Sequence, residues 1–281
     1  AASFYPLFLK SRKVTIDSRT VEKNDLFFAF SGENFNAAKS AEDAIHKGAL
    51  AVIVEDKNFA NPEKNILYVP STLEFLQELA AFHRNHIKIP VIALTGSNGK
   101  TTTKEIIHAV LSQKYKVQYT FGNLNNHIGV PLTLLSIKPE HELAVVEMGA
   151  NHQKEIELLC KIAQPNYGYI TNFGKAHLEG FGGFEGVIKG KSELYDYLKT
   201  SGQAILVNEN DPIQTEKTAD YSPKITFGKE NSDYYFEEFS KDHFVGLSFK
   251  EDKAQSKLTG SCNFTNLCAA PSLGFHFGLN F

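Results

Sequence analysis

The residues best placed to do chemistry fall in one run, Val91-Ile92-Ala93-Leu94-Thr95-Gly96-Ser97-Asn98-Gly99-Lys100-Thr101-Thr102-Thr103, where an apolar segment leads into glycines, a lysine and threonines. Read as strand, loop and helix, this is the context a phosphate loop needs. Gly96 and Gly99 let backbone N–H groups turn inward on phosphate oxygens, and the helix N-terminus adds positive potential. Lys100 reaches the terminal phosphates, the Thr101 hydroxyl can hold magnesium, and Gly96 through Thr102 form the candidate nucleotide-binding set. The usual spacing G-x-x-x-x-G-K-T is not met, because Leu94 stands where the first glycine belongs and the loop shortens to T-G-x-x-G-K-T. An ordinary strand-to-helix turn is the bland alternative, and the surrounding pattern disfavours it.

Positioning such a loop takes a sheet edge. From Pro90 onward, short apolar runs (Val91 to Leu94, Lys116 to Tyr119, Leu143 to Glu147, Tyr167 to Thr171, Gln203 to Val207) alternate with helical segments (Lys100 to Ser112, Lys154 to Ala163, Phe184 to Leu198). Continuous apolar runs separated by helices predict an α/β domain with a mostly parallel sheet. After Ile225, the alternation in Asp233 to Phe236 and His243 to Phe249 predicts antiparallel edge strands. Upstream, β-type runs at Lys13 to Ile16, Leu26 to Phe30, Leu50 to Val54 and Ile66 to Val69, with helices at Ala41 to Lys47 and Thr72 to His86, predict a small N-terminal α/β domain. Ile89-Pro90 ends the last of these helices, so the domains are read as 1–88 and 89–281. Glu147 closes an apolar strand, and a carboxylate at that edge can reach a metal or simply pair with a neighbour. Among the loop asparagines, Asn126 is chosen as a polar contact to the reacting phosphate, with a turn-satisfying role as the alternative.

Several of these runs together resemble the Mur ligase superfamily: Thr95 to Thr101, Gly122-Asn123-Leu124-Asn125-Asn126-His127-Ile128-Gly129-Val130-Pro131-Leu132-Thr133, and Glu147-Met148-Gly149-Ala150-Asn151-His152. The likeness is to the members that use ATP and magnesium to join D-alanyl-D-alanine to UDP-N-acetylmuramoyl-tripeptide in peptidoglycan precursor synthesis. It implies that Lys100, Asn126, Glu147, His177 and Lys191 serve catalysis, and that Thr101, Glu147, His177 and Lys191 surround the metal. Lys191 would carry this role as a carbamate, which forms only on a neutral amine and so needs a depressed pKa. Taken as bare residues, His177 is equally a surface or packed histidine, and nothing separates Lys191 from the neighbouring Lys189. Asn263, in Gly260-Ser261-Cys262-Asn263-Phe264-Thr265-Asn266, is implied as a contact to adenine, with a helix N-cap as the alternative. Pro271 further along implies a kink or a late start to that helix. Ser18 and Arg19 are implied as contacts to the UDP moiety, although Asp17-Ser18-Arg19 is as readily a surface turn with its own ion pair. Asn36-Ala37-Ala38-Lys39-Ser40 departs from the family pattern, which has a glycine near position 37.

Composition sets the outer limits. Net charge is -3 and no basic stripe is present, which disfavours nucleic acid as a partner. No apolar run approaches the roughly 20 residues of a membrane span, and no signal peptide is evident at Ala1, so a cytoplasmic monomer is expected. Three cysteines, Cys160, Cys262 and Cys268, have no C-x-x-C spacing and suggest neither disulfides nor zinc. The family carries a third, Rossmann-like domain of about 130–150 residues. It is expected to be absent here, leaving a fragment with little turnover. Two other readings stay open: a superfamily ligase that adds a different amino acid or glutamate, and a non-catalytic nucleotide-binding scaffold.

Overall fold

Leu26-Phe27-Phe28-Ala29 and Ala51-Val52-Ile53-Val54 are apolar and buried at every position, the pattern of strands covered on both faces. In the computed structural model, which describes residues 1–32 and 35–280, they are central strands of the first of two units, comprising residues 1–88 and 127–137. After helix α1 (Tyr5–Leu9), β1 (Val14–Thr15) pairs in parallel with β2 (Leu26–Ala29). A ribbon of β3 (Ser31–Gly32) and β4 (Phe35–Asn36) and helix α2 (Ala41–His46) lead into β5 (Ala51–Val54), which lies between β2 and β6 (Ile66–Tyr68). Helix α3 (Thr72–His86) starts where the Ser71 hydroxyl accepts the Glu74 N–H and buries Leu76, Leu79, Ala80 and His83, the face its periodicity predicts.

The second unit holds Ile89–Asn126 and the residues from Lys138 onward. Its strands are β7 (Val91–Thr95), β8 (Val117–Tyr119), β9 (Leu143–Glu147), β10 (Tyr167–Ile170), β11 (Ala204–Asn208) and β12 (Lys224–Phe227). They form one sheet in the order β12-β11-β10-β7-β9-β8 with every pair parallel. Crossovers are helical: α4 (Lys100–Leu111), α6 (Glu155–Ala163), α7 (Leu178–Phe181), α8 (Phe184–Ser201) and α9 (Pro212–Lys217). The one interruption is α5 (Gly129–Leu135), which lies between β8 and β9 in sequence yet packs on α3 in the first unit. Helix α10 (Cys262–His276) packs along α4, and the core between helices and sheet holds Ile92, Leu94, Ile107, Leu111, Val145, Leu267 and Leu273, all buried. Each such side chain contributes about 1.5–3 kcal/mol by leaving water.

Strand β7 has β9 on one side and β10 on the other. The connections therefore leave it in opposite directions, and the carboxyl ends of these three strands border the crevice where ligands bind in open α/β sheets.

The expected antiparallel strands are present, and two details are corrected. The antiparallel strands β13 (Glu237–Lys241), β14 (Phe244–Phe249) and β15 (Asp252–Thr259) form a sheet of their own beside the parallel one. Asp233 to Phe236 do not start it, because the Asp233 carboxylate accepts the Thr226 N–H and hydroxyl, leaving only an isolated parallel bridge from Tyr234 to Phe227. Pro271 does not mark a late helix start: α10 begins at Cys262 and runs through it. The three cysteines are free, with Cys160 and Cys268 buried and Cys262 exposed. Among the described residues, no helix is long and apolar enough to cross a membrane.

Candidate nucleotide site

Between β7 and α4 the turn is only Gly96-Ser97-Asn98-Gly99. Gly96 has φ +142°, and a Cβ there would lie 2.0 Å from Thr171 Oγ1, so no side chain fits. Lys100 Nζ donates to the carbonyls of Gly96 at 2.8 Å and Ser97 at 3.3 Å. Burial lowers the Lys100 pKa, and the Glu147 charge opposes that shift. The first N–H groups of α4 have no intrahelical acceptor and form a set of donors at the helix N-terminus.

Glu147, at the end of β9, gathers the groups around it. Its Oε1 accepts from the Thr101 hydroxyl at 3.2 Å and from Asn125 Nδ2 at 2.8 Å. Its Oε2 is buried without a hydrogen bond among the described residues, 3.7 Å from Lys104 Nζ. Lys104 also donates to the Gly122 carbonyl at 3.0 Å and lies 3.1 Å from Glu105. Neither Asn125 nor Lys104 stands out from composition or motif. Of the two adjacent asparagines, Asn125 donates to Glu147 and Asn126 is exposed.

Lys191 sits on α8 with a side chain withdrawn from solvent, donating to the Ala150 carbonyl at 3.2 Å and lying 5.1 Å from the centre of the Phe181 ring. Phe181 comes this close because Gly190 has no side chain: a Cβ there would meet its Cε1 at 2.4 Å. Burial, helped by the Lys100 charge, lowers the Lys191 pKa to about 8. Lys189, by contrast, is exposed. Glu193, two residues beyond Lys191, accepts the N–H groups of Lys154 at 2.6 Å and Glu157 at 2.9 Å and so caps α6.

The remaining candidates are more dispersed. His177 is exposed, with φ +54°, and among the described residues no hydrogen bond or ion pair links it to Glu147 or Lys191. No group of three His, Cys, Asp or Glu side chains converges among the described residues. The paired oxygens of Thr101 and Glu147, one of them lacking a hydrogen bond, do fit a hard divalent cation completed by phosphate and water. Asn263 lies inside α10, whose N-cap is Ser261, so the capping alternative does not hold. Asn263 Oδ1 accepts from Asn266 Nδ2 at 3.0 Å, and Asn266 Oδ1 accepts from the Thr103 hydroxyl at 3.1 Å, a chain that ties α10 to the first turn of α4. In the first unit, Arg19 is exposed and paired through Nε and Nη2 with Asp17, whose pKa that pairing holds down to about 2. The Ser18 carbonyl accepts from Lys47.

Residues 94–274 match the model of the Mur ligase middle domain, and residues 10–84 match that of the Mur ligase family catalytic domain. The chain belongs to the Mur ligase family. It is 36% identical over 273 residues to the UDP-N-acetylmuramoyl-tripeptide--D-alanyl-D-alanine ligase of Bacillus subtilis (strain 168), covering 95% of this chain and 59% of that protein. With the ligase of the same name from Escherichia coli (strain K12) it shares 41% identity over 229 residues, 79% of this chain and 49% of that one. Among solved structures, MurF from Acinetobacter baumannii superposes with a TM-score of 0.83 at 34% identity, over 96% of this chain and 60% of that one. MurF from Thermotoga maritima, solved in complex with ADP, superposes with a TM-score of 0.81 at 29% identity, over 97% of this chain and 64% of that one. The chain thus spans about three fifths of the length of the Mur ligases it matches end to end.

Proposed function

We propose that this Mur ligase chain forms the nucleotide- and UDP-sugar-handling part of an ATP-dependent amide ligase of peptidoglycan precursor synthesis. That enzyme joins D-alanyl-D-alanine to UDP-N-acetylmuramoyl-tripeptide. One observation carries the reading: the Gly96–Gly99 loop and the Glu147 carboxylate meet through Thr101 at the carboxyl edge of the sheet. Similarity to ligases of that name over 95% of the chain supports the choice of substrates.

In this reading the tripeptide carboxylate attacks the γ-phosphorus of ATP, the bond to the bridging oxygen breaks, and ADP leaves. The D-alanyl-D-alanine amine then attacks the acyl phosphate, loses its proton and expels phosphate. Lys100 turns from the Gly96 and Ser97 carbonyls onto the terminal phosphates, and the first-turn amides of α4 hold them in place. Thr101 and Glu147 would hold magnesium, which when bound neutralises charge developing on the phosphate oxygens. Lys191, partly neutral near pH 8, is proposed to take up carbon dioxide on Nζ with loss of a proton, giving a carbamate that with His177 would serve the metal. Asn126 is assigned to the reacting phosphate, Asn263 to adenine, and Ser18 with Arg19 to the UDP moiety, where Arg19 would exchange Asp17 for diphosphate.

The test is phosphate release from ATP with UDP-N-acetylmuramoyl-tripeptide, across a panel of amine acceptors, using a full-length version that carries this chain. Release dependent on D-alanyl-D-alanine is expected. Release with a single amino acid or glutamate instead would assign a different ligase, and none with any acceptor would leave a nucleotide-binding scaffold.

A further inference from the structure

We propose that Asn172 is the positioning residue of the shortened phosphate loop, its carboxamide gripping the Asn98 backbone so as to decide which loop N–H groups can face a phosphate. The proposal rests on the nucleotide reading above. Asn172 follows Thr171 at the carboxyl end of β10, whose Ile170 is in register with Thr95 of β7. Its Oδ1 accepts the Asn98 N–H at 3.1 Å, and its Nδ2 donates to the Asn98 carbonyl at 2.9 Å. One side chain thus pairs with both backbone polar groups of a single residue, as a neighbouring strand does in a ladder. The Thr171 hydroxyl donates to the same carbonyl at 2.6 Å, and the Ser97 N–H donates to the Asn172 carbonyl at 3.1 Å.

The consequence is specific. Of the loop's amides, those of Ser97 and Asn98 are taken by the segment after β10 and turned away from any ligand. The donors left for phosphate are those of Gly96, Gly99 and the first turn of α4. The loop is braced from β10, through Asn172 and the Thr171 hydroxyl on Asn98. The same grip ties the loop to the segment that carries His177, so the two shift as one body.

Amide hydrogen exchange followed by NMR on the unliganded chain, with ADP titration alongside, tests this. Asn172→Ala is expected to speed exchange at Asn98 at least tenfold, leave the β7 amides and the thermal midpoint unchanged, and raise the ADP Kd about three- to tenfold. Asn172→Asp, which keeps the acceptor, is expected to retain protection at Asn98. Unchanged exchange at Asn98 in Asn172→Ala overturns the proposal, as does equal loss in both variants. Should Asn172→Ala unfold, Asn172→Leu, which keeps the volume and removes both polar atoms, takes its place with the same expected loss of protection at Asn98. If the unsubstituted chain binds no ADP, the nucleotide reading fails, and the exchange data still judge the grip of Asn172.

Discussion

Lys104 Nζ lies 3.7 Å from Glu147 Oε2, and both side chains are withdrawn from solvent, at 0% and 1% exposure. Through the Gly122 carbonyl the same ammonium reaches the loop after β8, so one charge ties the first turns of α4 to that loop and to the end of β9. Lys100, one turn earlier on the same helix, spends its donors on the phosphate loop instead. The two lysines are therefore assigned different work: Lys104 holds the Glu147 carboxylate in place, and Lys100 remains available to a ligand.

Removing Lys104 leaves a buried carboxylate without its counter-charge. Lys104→Met is expected to destabilise the chain by about 3–5 kcal/mol, read from urea unfolding. The double variant Lys104→Met with Glu147→Gln is expected to lose less than the sum of the two single changes. Strict additivity would mean the pair is not coupled.

The Lys191 amine sets a pH window. Its pKa in the folded chain, about 8, lies below the ordinary lysine value of 10.5, so the folded state releases a proton more readily than the unfolded state. Stability is therefore expected to rise with pH from about 8 toward 10.5, and Lys191→Met is expected to flatten that rise. In bicarbonate labelled with carbon-13, a carbamate resonance is expected to grow as pH passes from 7 to 8.5 and to be absent from Lys191→Met. A resonance that persists in the variant would place the carbamate elsewhere.

Gly190 tests how tightly Lys191 is framed. A Cβ at 190 meets the Phe181 ring at 2.4 Å, so Gly190→Ala must displace Phe181 or α8. A loss of about 1–3 kcal/mol in unfolding free energy is expected. Phe181→Leu is expected to recover part of it, and failure to do so would locate the strain outside this contact.

Where sequence carried the most information was in runs whose pattern depends on local neighbours. The buried strands β7 and β9, the glycine turn and α4 follow from apolar continuity and from glycine before lysine and threonine. What local pattern could not carry were partners far apart in the chain: Asn172 on Asn98 across 74 positions, Glu193 on Lys154 across 39, Asn125 on Glu147 across 22. Helix α5 was hidden for the same reason, since Gly129-Val130-Pro131 reads as a connector until α3 is there to pack on. Lys191 did leave a trace. Val187, Leu194, Tyr195 and Leu198 are buried at the helical spacing that includes 191 and excludes Lys189, so the face of α8 distinguishes the two lysines.

The central claim is that Gly96 to Thr102 holds the phosphates of a nucleotide, and calorimetric titration with ADP and ATP in magnesium tests it most directly. Saturable binding at one site is expected, weakened about a hundredfold or more by Lys100→Ala. That variant is expected to keep the unfolding midpoint, because among the described residues Lys100 donates to carbonyls of its own loop alone. No binding by the unsubstituted chain, or equal affinity after Lys100→Ala, would contradict the account.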